Sequence, residues 1–329
     1  MSKPCIAFVT GGYSAEAAIS YKSAITIEKN LDRERFDVFR IDITPTHWFH
    51  KTADGLEIDV DRRDFSLEIG GKKIRFDAVF IGIHGTPGED GKLQGYFDLL
   101  GLPYTSCDAA TSALTFNKRY TVAVAAFSGI SVARSLHLFK HSPVAPESIL
   151  NQLSLPVFVK PNNGGSSIGM SRVNQPEALG EALEKAFAED DQILVEEFIS
   201  GREFTIGVYR RQGLIHTLPF TEIFTEKEFF DFEAKYQGLS REVTPAECPE
   251  EMAEKIRNAA CKVYEVFNCS GIVRMDFIFS ETKNEPFLLE INTVPGQSEM
   301  SIVPQQVRAA GETLKDFYST LIEEALQRT

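Results

Sequence analysis

Short apolar runs broken by glycine-rich turns set the rhythm of the first hundred residues. Cys5–Thr10 reads as a strand, and Gly11-Gly12-Tyr-Ser14-Ala-Glu16 as a turn into a helix from about Ala15 to Leu31. Val38–Ile43 and Ala78–Ile83 read as further strands, so this part alternates β and α and predicts a parallel sheet. The polar stretch 46–75 predicts small strands or an excursion from that sheet. His84-Gly-Thr-Pro-Gly-Glu-Asp-Gly91 follows the third strand. Ligands gather beyond the carboxyl ends of strands in open α/β sheets, so the Gly11 and His84 loops are expected to face one crevice.

A second organisation starts at Asn117-Lys118. The pattern predicts a helix over 120–127, strands near Leu136 and over 157–160, a helix over 176–188 and a strand over 193–198. Beyond residue 200 it predicts strands at 203–210, 214–219, 271–279 and 286–291, with helices at 249–267 and 311–327. Residues 221–245 have little periodicity and exceed an ordinary connection, which marks a candidate functional loop.

The two last strands carry the most chemistry. Gly271-Ile-Val-Arg274-Met-Asp276-Phe-Ile-Phe279 and Phe287-Leu-Leu-Glu290-Ile-Asn292 are rich in β-branched and aromatic residues around a turn, which predicts an antiparallel hairpin. Alternation puts Arg274 and Asp276 on one face, and likewise Glu290 and Asn292. If the register joins those faces, two carboxylates and an amide oxygen converge, a donor set that suits Mg²⁺ beside substrate phosphates. A salt-bridged, half-exposed hairpin is the alternative. Lys160 ends an apolar strand before Pro-Asn-Asn-Gly164-Gly165-Ser166-Ser167-Ile-Gly169, a loop able to cover phosphates or to be a plain surface turn. Glu196 and Glu203, at strand ends, suit an adenine amino group or ribose hydroxyls or are solvated edge charges. His84 suits a general base or phosphate contact or is merely exposed; Lys118 and Lys235 carry the same ambiguity, as ligand contacts or surface charges.

Composition narrows the classes. The chain has 329 residues, 43% of them hydrophobic, which is enough for two or three domains. Its net charge of −13 without a basic run argues against a nucleic-acid surface. Five cysteines without a C-x-x-C pair point to free thiols in a reducing cytoplasm and away from zinc. The first residues lack a signal-peptide apolar region, and no apolar run is long enough for a bilayer. No Walker A motif and no helix-opening G-x-G-x-x-G is present.

Taken in order, several segments resemble the D-alanine–D-alanine ligases of the ATP-grasp superfamily. They are Gly-Gly-x-Ser-Ala-Glu16, His84-Gly-x-x-Gly-Glu-Asp-Gly-x-x-Gln94-Gly, Val-Phe-Val-Lys160-Pro through Gly169, Glu-Ala-Lys235-Tyr236, Arg274-Met-Asp276, and Leu-Glu290-Ile-Asn292-Thr-Val-Pro-Gly296. The resemblance implies an α/β fold: an N-terminal Rossmann-like domain (1–116) and a two-part ATP-grasp module (117–200 and 201–329). It implies formation of D-alanyl-D-alanine from ATP and two D-alanines for peptidoglycan precursors, in a cytoplasmic homodimer without nucleic-acid or membrane partners.

By the same resemblance, Lys118 and Lys160 would hold the ATP phosphates, Glu196 and Glu203 the adenine and ribose, and Lys235, on the closing loop, would also bind ATP. Glu197, Phe198 and Ile199 would frame the adenine. Asp276, Glu290 and Asn292 would hold two Mg²⁺ (or Mn²⁺). Glu16 would bind the first substrate's ammonium beside His84, with Ser166 linking Glu16 to Tyr236 when the lid closes. Arg274 and the N–H of Gly296 would stabilise the oxyanion, and Ser301 and Ile302 would receive the second substrate. Ala17-Ala18 stands where family members usually carry a charged or polar pair, and Ile302 where Leu is more usual. A ligase joining D-alanine to D-lactate is the nearest alternative; a nucleotide-binding regulator without turnover is a rival of another class.

Overall fold

The computed structural model describes residues 3–163, 169–225 and 240–328. The N-terminal sheet contains β1 (Cys5–Gly11), β2 (Asp37–Ile43), β3 (Trp48–Lys51), β4 (Glu57–Asp59) and, beyond the small hairpin β5 (Leu67–Ile69) and β6 (Lys72–Ile74), β7 (Ala78–Ile81). Its order is β4-β3-β2-β1-β7, with β1 parallel to both β2 and β7. The β1–β2 crossover is helix α1 (Ala17–Asn30), with Glu16 at its N-cap. The 46–75 excursion supplies β3 to β6. Helices α2 (Lys92–Leu100) and α3 (Ala109–Phe116) follow, and neither is evident in the sequence pattern.

Asn117 ends α3 and caps α4 (Lys118–Phe127), its side chain accepting from the N–H of Tyr120. A four-stranded sheet follows, built from β8 (Ser135–Phe139), β9 (Val157–Pro161), β10 (Ser171–Val173) and β11 (Gln192–Glu197) in the order β10-β9-β11-β8. Helices α5 (Pro146–Leu150) and α6 (Leu179–Glu189) cover it. Ile149, Leu179, Leu183 and Ala186 form a core with Val157, Val159, Ile193 and Val195. A single 3₁₀ turn over Pro176–Ala178 opens α6, where the sequence predicts one continuous helix.

The third sheet is antiparallel and contains β12 (Arg202–Arg211), β13 (Leu214–Thr217), β14 (Thr221–Thr225), β15 (Ser240–Val243), β16 (Val273–Ser280) and β17 (Glu285–Asn292). Its order is β15-β14-β12-β16-β17, with β13 on β12. Helix α7 (Glu250–Val266) covers one face, burying Ile256, Ala260, Val263 and Tyr264 against Phe204, Ile206, Met275 and Phe277. The other face carries the polar rows of the site. Two helices close the chain, α8 (Ile302–Ala309) and α9 (Leu314–Leu326). Pro304 is tolerated in the first turn of α8 because N–H groups there have no intrahelical acceptor. Helix α9 returns to the N-terminal sheet, where Phe317, Tyr318, Leu321 and Ile322 pack with Ile6, Phe8 and Phe80 in one buried cluster. Both ends of the chain thus share a core, which fixes the 293–298 loop against the first sheet.

Candidate active site

The β16–β17 register joins the polar faces. Arg274 lies opposite Asn292, and Asp276 opposite Glu290. The register shifts between Asp276 and Phe277, which leaves Leu289 outside the pairing. Such a bulge interrupts alternation and re-aims a side chain. On the other side of β16, Thr205 pairs with Asp276 and donates its hydroxyl to Oδ1 at 2.5 Å. Arg274 holds Asp276 in a two-point contact, Nε to Oδ1 at 3.0 Å and Nη2 to Oδ2 at 2.9 Å, and also reaches Glu290 Oε1 at 3.3 Å. These carboxylates, with burial opposing them, raise the Arg274 pKa further above its already high ordinary value. The guanidinium stays charged throughout.

A cavity of about 400 Å³ opens over this face. Arg274, Asp276, Glu290, Asn292, Gly296, Ser301 and Ile302 line it from the C-terminal side, and Glu203 joins them from β12. Glu16, His84 and Lys118 complete it from the opposite wall. Lys118 opens α4, and its N–H donates to the Asn162 carbonyl at 3.1 Å, so the end of β9 sets its position. The Gly11–Glu16 turn and the His84 loop both reach this cavity, as expected of one crevice, and the C-terminal hairpin meets them there.

Lys160, Glu196, Glu197, Phe198 and Ile199 stand apart from that lining, on or just after strands of the central sheet. Lys160 Nζ pairs with Glu196 Oε2 at 2.6 Å, both side chains nearly enclosed. The Phe158 and Phe198 rings lie 5.9 Å apart, Arg172 stacks over Phe198 at 4.4 Å, and Ile199 is buried. Glu197 accepts from the Arg134 N–H at 3.0 Å. Ser166, Lys235 and Tyr236 lie outside the described residues.

The electrostatics divide the cavity. Burial raises the Glu16 pKa; Lys118 opposes that shift and Glu290 adds to it. Glu89 accepts from the Gly85 N–H, and burial followed by the neighbouring Glu16 carboxylate pushes it up to about 8. Gly85 has φ +67°, a left-handed backbone that favours glycine, and without a Cβ it leaves room for the end of the Glu16 side chain beside it. Burial lowers His84 to about 4. Its Nδ1 donates to the Val294 carbonyl at 2.8 Å, and its Nε2 takes the Ser23 hydroxyl at 2.9 Å. The neutral ring is therefore fully engaged within the protein.

These shifts carry a stability prediction. Glu89 is neutral in both the folded and the unfolded chain below its ordinary pKa near 4.5. Above that the unfolded chain ionises first, so the Glu89 contribution is lost as pH rises toward 8. In Glu89→Gln, melting temperature should fall less than in wild type between pH 5 and pH 8, in ligand-free protein. Parallel melting curves against pH would remove Glu89 from that role.

Sequence reasoning assigned no role to Glu89, Thr205, Glu242 or Ser298, all of which line the cavity. Glu89 sits in the quoted His84 motif, and Thr205 shares a strand face with Glu203, so both carried a signal. Glu242 lies in the 221–245 stretch marked as a candidate functional loop, but it enters the cavity through β15, whose pairing with β14 at Ile223 cannot be read locally. Its pKa is raised by burial, and its Oε2 accepts from Gln305 at 3.1 Å.

The donor chemistry fits a hard divalent cation with phosphates. Asp276, Glu290 and Asn292 offer only oxygen, and Mg²⁺ commonly takes just one or two protein carboxylates. Among the described residues no group of three or more His, Cys, Asp or Glu is placed to enclose a metal.

Comparison with known proteins agrees along the whole chain. A family model described as D-ala D-ala ligase N-terminus matches residues 5–107, and one described as D-ala D-ala ligase C-terminus matches 117–323. A D-alanine--D-alanine ligase of Flavobacterium johnsoniae is 44% identical over 98% of this chain and 99% of its own length. One from Phocaeicola vulgatus is also 44% identical, with the same coverage. Among solved structures, the VanG D-Ala:D-Ser ligase from Enterococcus faecalis superposes with TM-score 0.87 at 30% identity, covering 98% of this chain and 100% of its own. D-alanyl-alanine synthetase A from Vibrio cholerae has TM-score 0.87 at 28% identity and 99% coverage of both chains. With the hairpin register, the glycine loops and both matched halves in agreement, this chain belongs to the D-alanine–D-alanine ligase family.

Proposed function

We infer that the protein catalyses ATP + 2 D-alanine → D-alanyl-D-alanine + ADP + phosphate, the dipeptide serving peptidoglycan precursor synthesis. The observation that carries this reading is the single cavity joining Glu16, Arg274, Asp276, Glu290 and Gly296 in a chain matched along its length to D-alanine–D-alanine ligases. The γ-phosphoryl group passes to the first D-alanine carboxylate, giving an acyl phosphate. The second amine then adds to its carbonyl carbon, and phosphate leaves from the tetrahedral intermediate.

The residues divide that work. Glu16, at the N-cap of α1, shares its wall of the cavity with Lys118 and holds the first ammonium. Beside it His84, with both nitrogens engaged, acts as a shaped wall. Arg274 and the Gly296 N–H meet the charge that grows on the carbonyl oxygen, the interaction that usually contributes most in acyl transfer. Ser301 and Ile302 open α8, and the N–H groups at that helix start suit the second carboxylate. Glu203 receives the ribose. Lys118 and Lys160 hold phosphates, and a nucleotide must compete with Glu196, which pairs with Lys160 at 2.6 Å. Glu196 then turns to the adenine framed by Glu197, Phe198 and Ile199.

Asp276, Glu290 and Asn292 would hold two Mg²⁺ or Mn²⁺, which when bound would offset the phosphate charge. Lys235 would reach ATP, and Ser166 with Tyr236 would shut the first subsite against water. A division into 1–116, 117–200 and 201–329 is part of the proposal, supported by one main sheet in each range. A homodimer through the first range and a cytoplasmic location complete it; the five free cysteines suit a reducing compartment.

The test is phosphate release from ATP and Mg²⁺ with and without D-alanine, with the product weighed by mass spectrometry. Release that depends on D-alanine and matches dipeptide one for one is expected. Phosphate release indifferent to D-alanine, or a D-lactate ester as the main product at neutral pH, would overturn the reading. Tyr236 bears on that choice, since family members that make the ester typically carry another residue there, Phe in one branch. The resemblance implies that the Tyr236 hydroxyl bonds Ser166, a bond that would be worth about 1 kcal/mol, and Tyr236→Phe would remove it. With both acceptors competing, the ester share should rise, most at low pH where the D-alanine amine is protonated. A product ratio unchanged across the pH series counts against a selective role for that hydroxyl.

A further inference from the structure

Helix α1 carries Glu16, Ser20 and Ser23 at the spacing that places side chains on one helical face. Ser20 and Ser23 are both fully buried, where a hydroxyl needs partners. Ser20 Oγ accepts from the His84 N–H at 2.9 Å and donates to the Glu16 carbonyl at 3.4 Å. Ser23 lies one turn further along and meets two different loops. Its Oγ stands 2.9 Å from His84 Nε2, and it accepts from the Gln297 N–H at 3.1 Å.

The protons in this chain can be assigned from the partners alone. The Val294 carbonyl can only accept, so His84 Nδ1 carries the ring hydrogen. His84 Nε2 is then an acceptor, and the Ser23 hydroxyl donates to it. The lone pair left on Ser23 takes the Gln297 N–H. Tyr318, from α9, donates its hydroxyl to Gln297 Oε1 at 3.1 Å, and Gln297 Nε2 donates to the Pro295 carbonyl at 3.3 Å. The segment from Val294 to Gln297 is thereby tied to the helix that bears Glu16, directly at Gln297 through Ser23 and indirectly at Val294 through His84. Gly296 lies between those ties.

We propose that Ser23 is a positioning residue for the ligation step, holding the Gly296 N–H in register with Glu16 through Gln297 and His84. The proposal rests on the reading that Gly296 stabilises the tetrahedral intermediate while Glu16 holds the first substrate's ammonium. Neither Ser23 nor Tyr318 lines the cavity, so each acts only through the loop it restrains. Small displacements matter here, because a shift of about 1 Å in a reacting group can cost on the order of a hundredfold in rate. Removing the Ser23 hydroxyl leaves both the Gln297 N–H and His84 Nε2 without a partner in a buried site, which favours movement of the loop.

The experiment compares Ser23→Ala and Tyr318→Phe with wild type, each as the full chain, measuring phosphate and dipeptide together. In Ser23→Ala, kcat should fall by about ten- to a hundredfold, with KM for ATP little changed. Phosphate should exceed dipeptide, because an acyl phosphate whose carbonyl is poorly held loses to water. Tyr318→Phe keeps the ring packing against Phe80 and should show the same excess to a smaller degree. A purely structural role would lower melting temperature yet leave phosphate and dipeptide equal and kcat per folded molecule unchanged. That outcome in Ser23→Ala overturns the proposal; if Ser23→Ala does not fold, equal yields in Tyr318→Phe do so. Wild type without D-alanine-dependent phosphate release would instead overturn the ligase reading itself.

Discussion

Arg274→Met is expected to lower dipeptide synthesis by about a hundred- to a thousandfold, the usual cost of losing one oxyanion donor. It should also weaken the fold. Arg274 and Asp276 are both largely enclosed, at 17% and 14% side-chain exposure, and joined by two hydrogen bonds. Removing one partner of such a pair leaves an uncompensated carboxylate and costs about 3 kcal/mol. Thr205 still donates to Asp276, but Glu290 now faces it across the strands with no cation between them. Mg²⁺ alone should therefore raise the melting temperature of this variant more than that of wild type. Turnover like wild type, with no loss of stability, would take Arg274 out of both roles.

That coupling of stability to chemistry was partly legible in the residues. The alternation of Arg274 with Asp276, and of Glu290 with Asn292, puts each pair on one face whatever the partner strand. The register that joins them was open in the sequence, since a slip of one residue turns a strand over. The bulge at Leu289 was hidden, because the run from Phe287 to Asn292 reads as unbroken strand. The first β/α units were plain because short apolar runs alternate with polar stretches, with a glycine turn after the first strand and a Gly-rich loop after the third. Helices α3 and α8 were not: Ala-Ala-Thr-Ser and Ile-Val-Pro-Gln carry weak or mixed propensity, and tertiary packing holds them. Strand β10, at three residues, is too short for periodicity to register, and β14 and β15 fall in the 221–245 stretch expected as a loop, where pairing with β12 and with each other makes them strands.

Long-range closure escaped the sequence for a different reason. The last helix was expected near its observed place, but nothing local says that Phe317 and Tyr318 pack on the first sheet. That contact brings Gln297 to Ser23 and sets Gly296 opposite Glu16. Candidate residues on one element, such as Asp276 and Arg274, could be grouped by spacing. Glu242 and Thr205 could be grouped only once β14, β12 and β16 were known to be neighbours.

Glu290→Gln tests the cation reading with the least disturbance to the fold. The change is nearly isosteric, and the new amide oxygen can still accept from Arg274 Nη2, which reaches Glu290 Oε1 at 3.3 Å. Stability should stay close to wild type. Turnover should fall about a hundredfold or more, since cation stabilisation of phosphoryl charge is worth several kcal/mol and each ~1.4 kcal/mol is a factor of ten. The Mg²⁺ concentration giving half-maximal rate should rise as well, which a purely structural Glu290 would not produce. A second readout comes from Glu16, whose pKa is raised by burial and then further by Glu290, against the pull of Lys118. With the Glu290 charge gone, Glu16 stays ionised to lower pH, so the acid limb of kcat/KM for D-alanine should move to lower pH. Wild-type turnover with an unshifted Mg²⁺ dependence would remove Glu290 from the cation site and leave Asp276 and Asn292 to account for it.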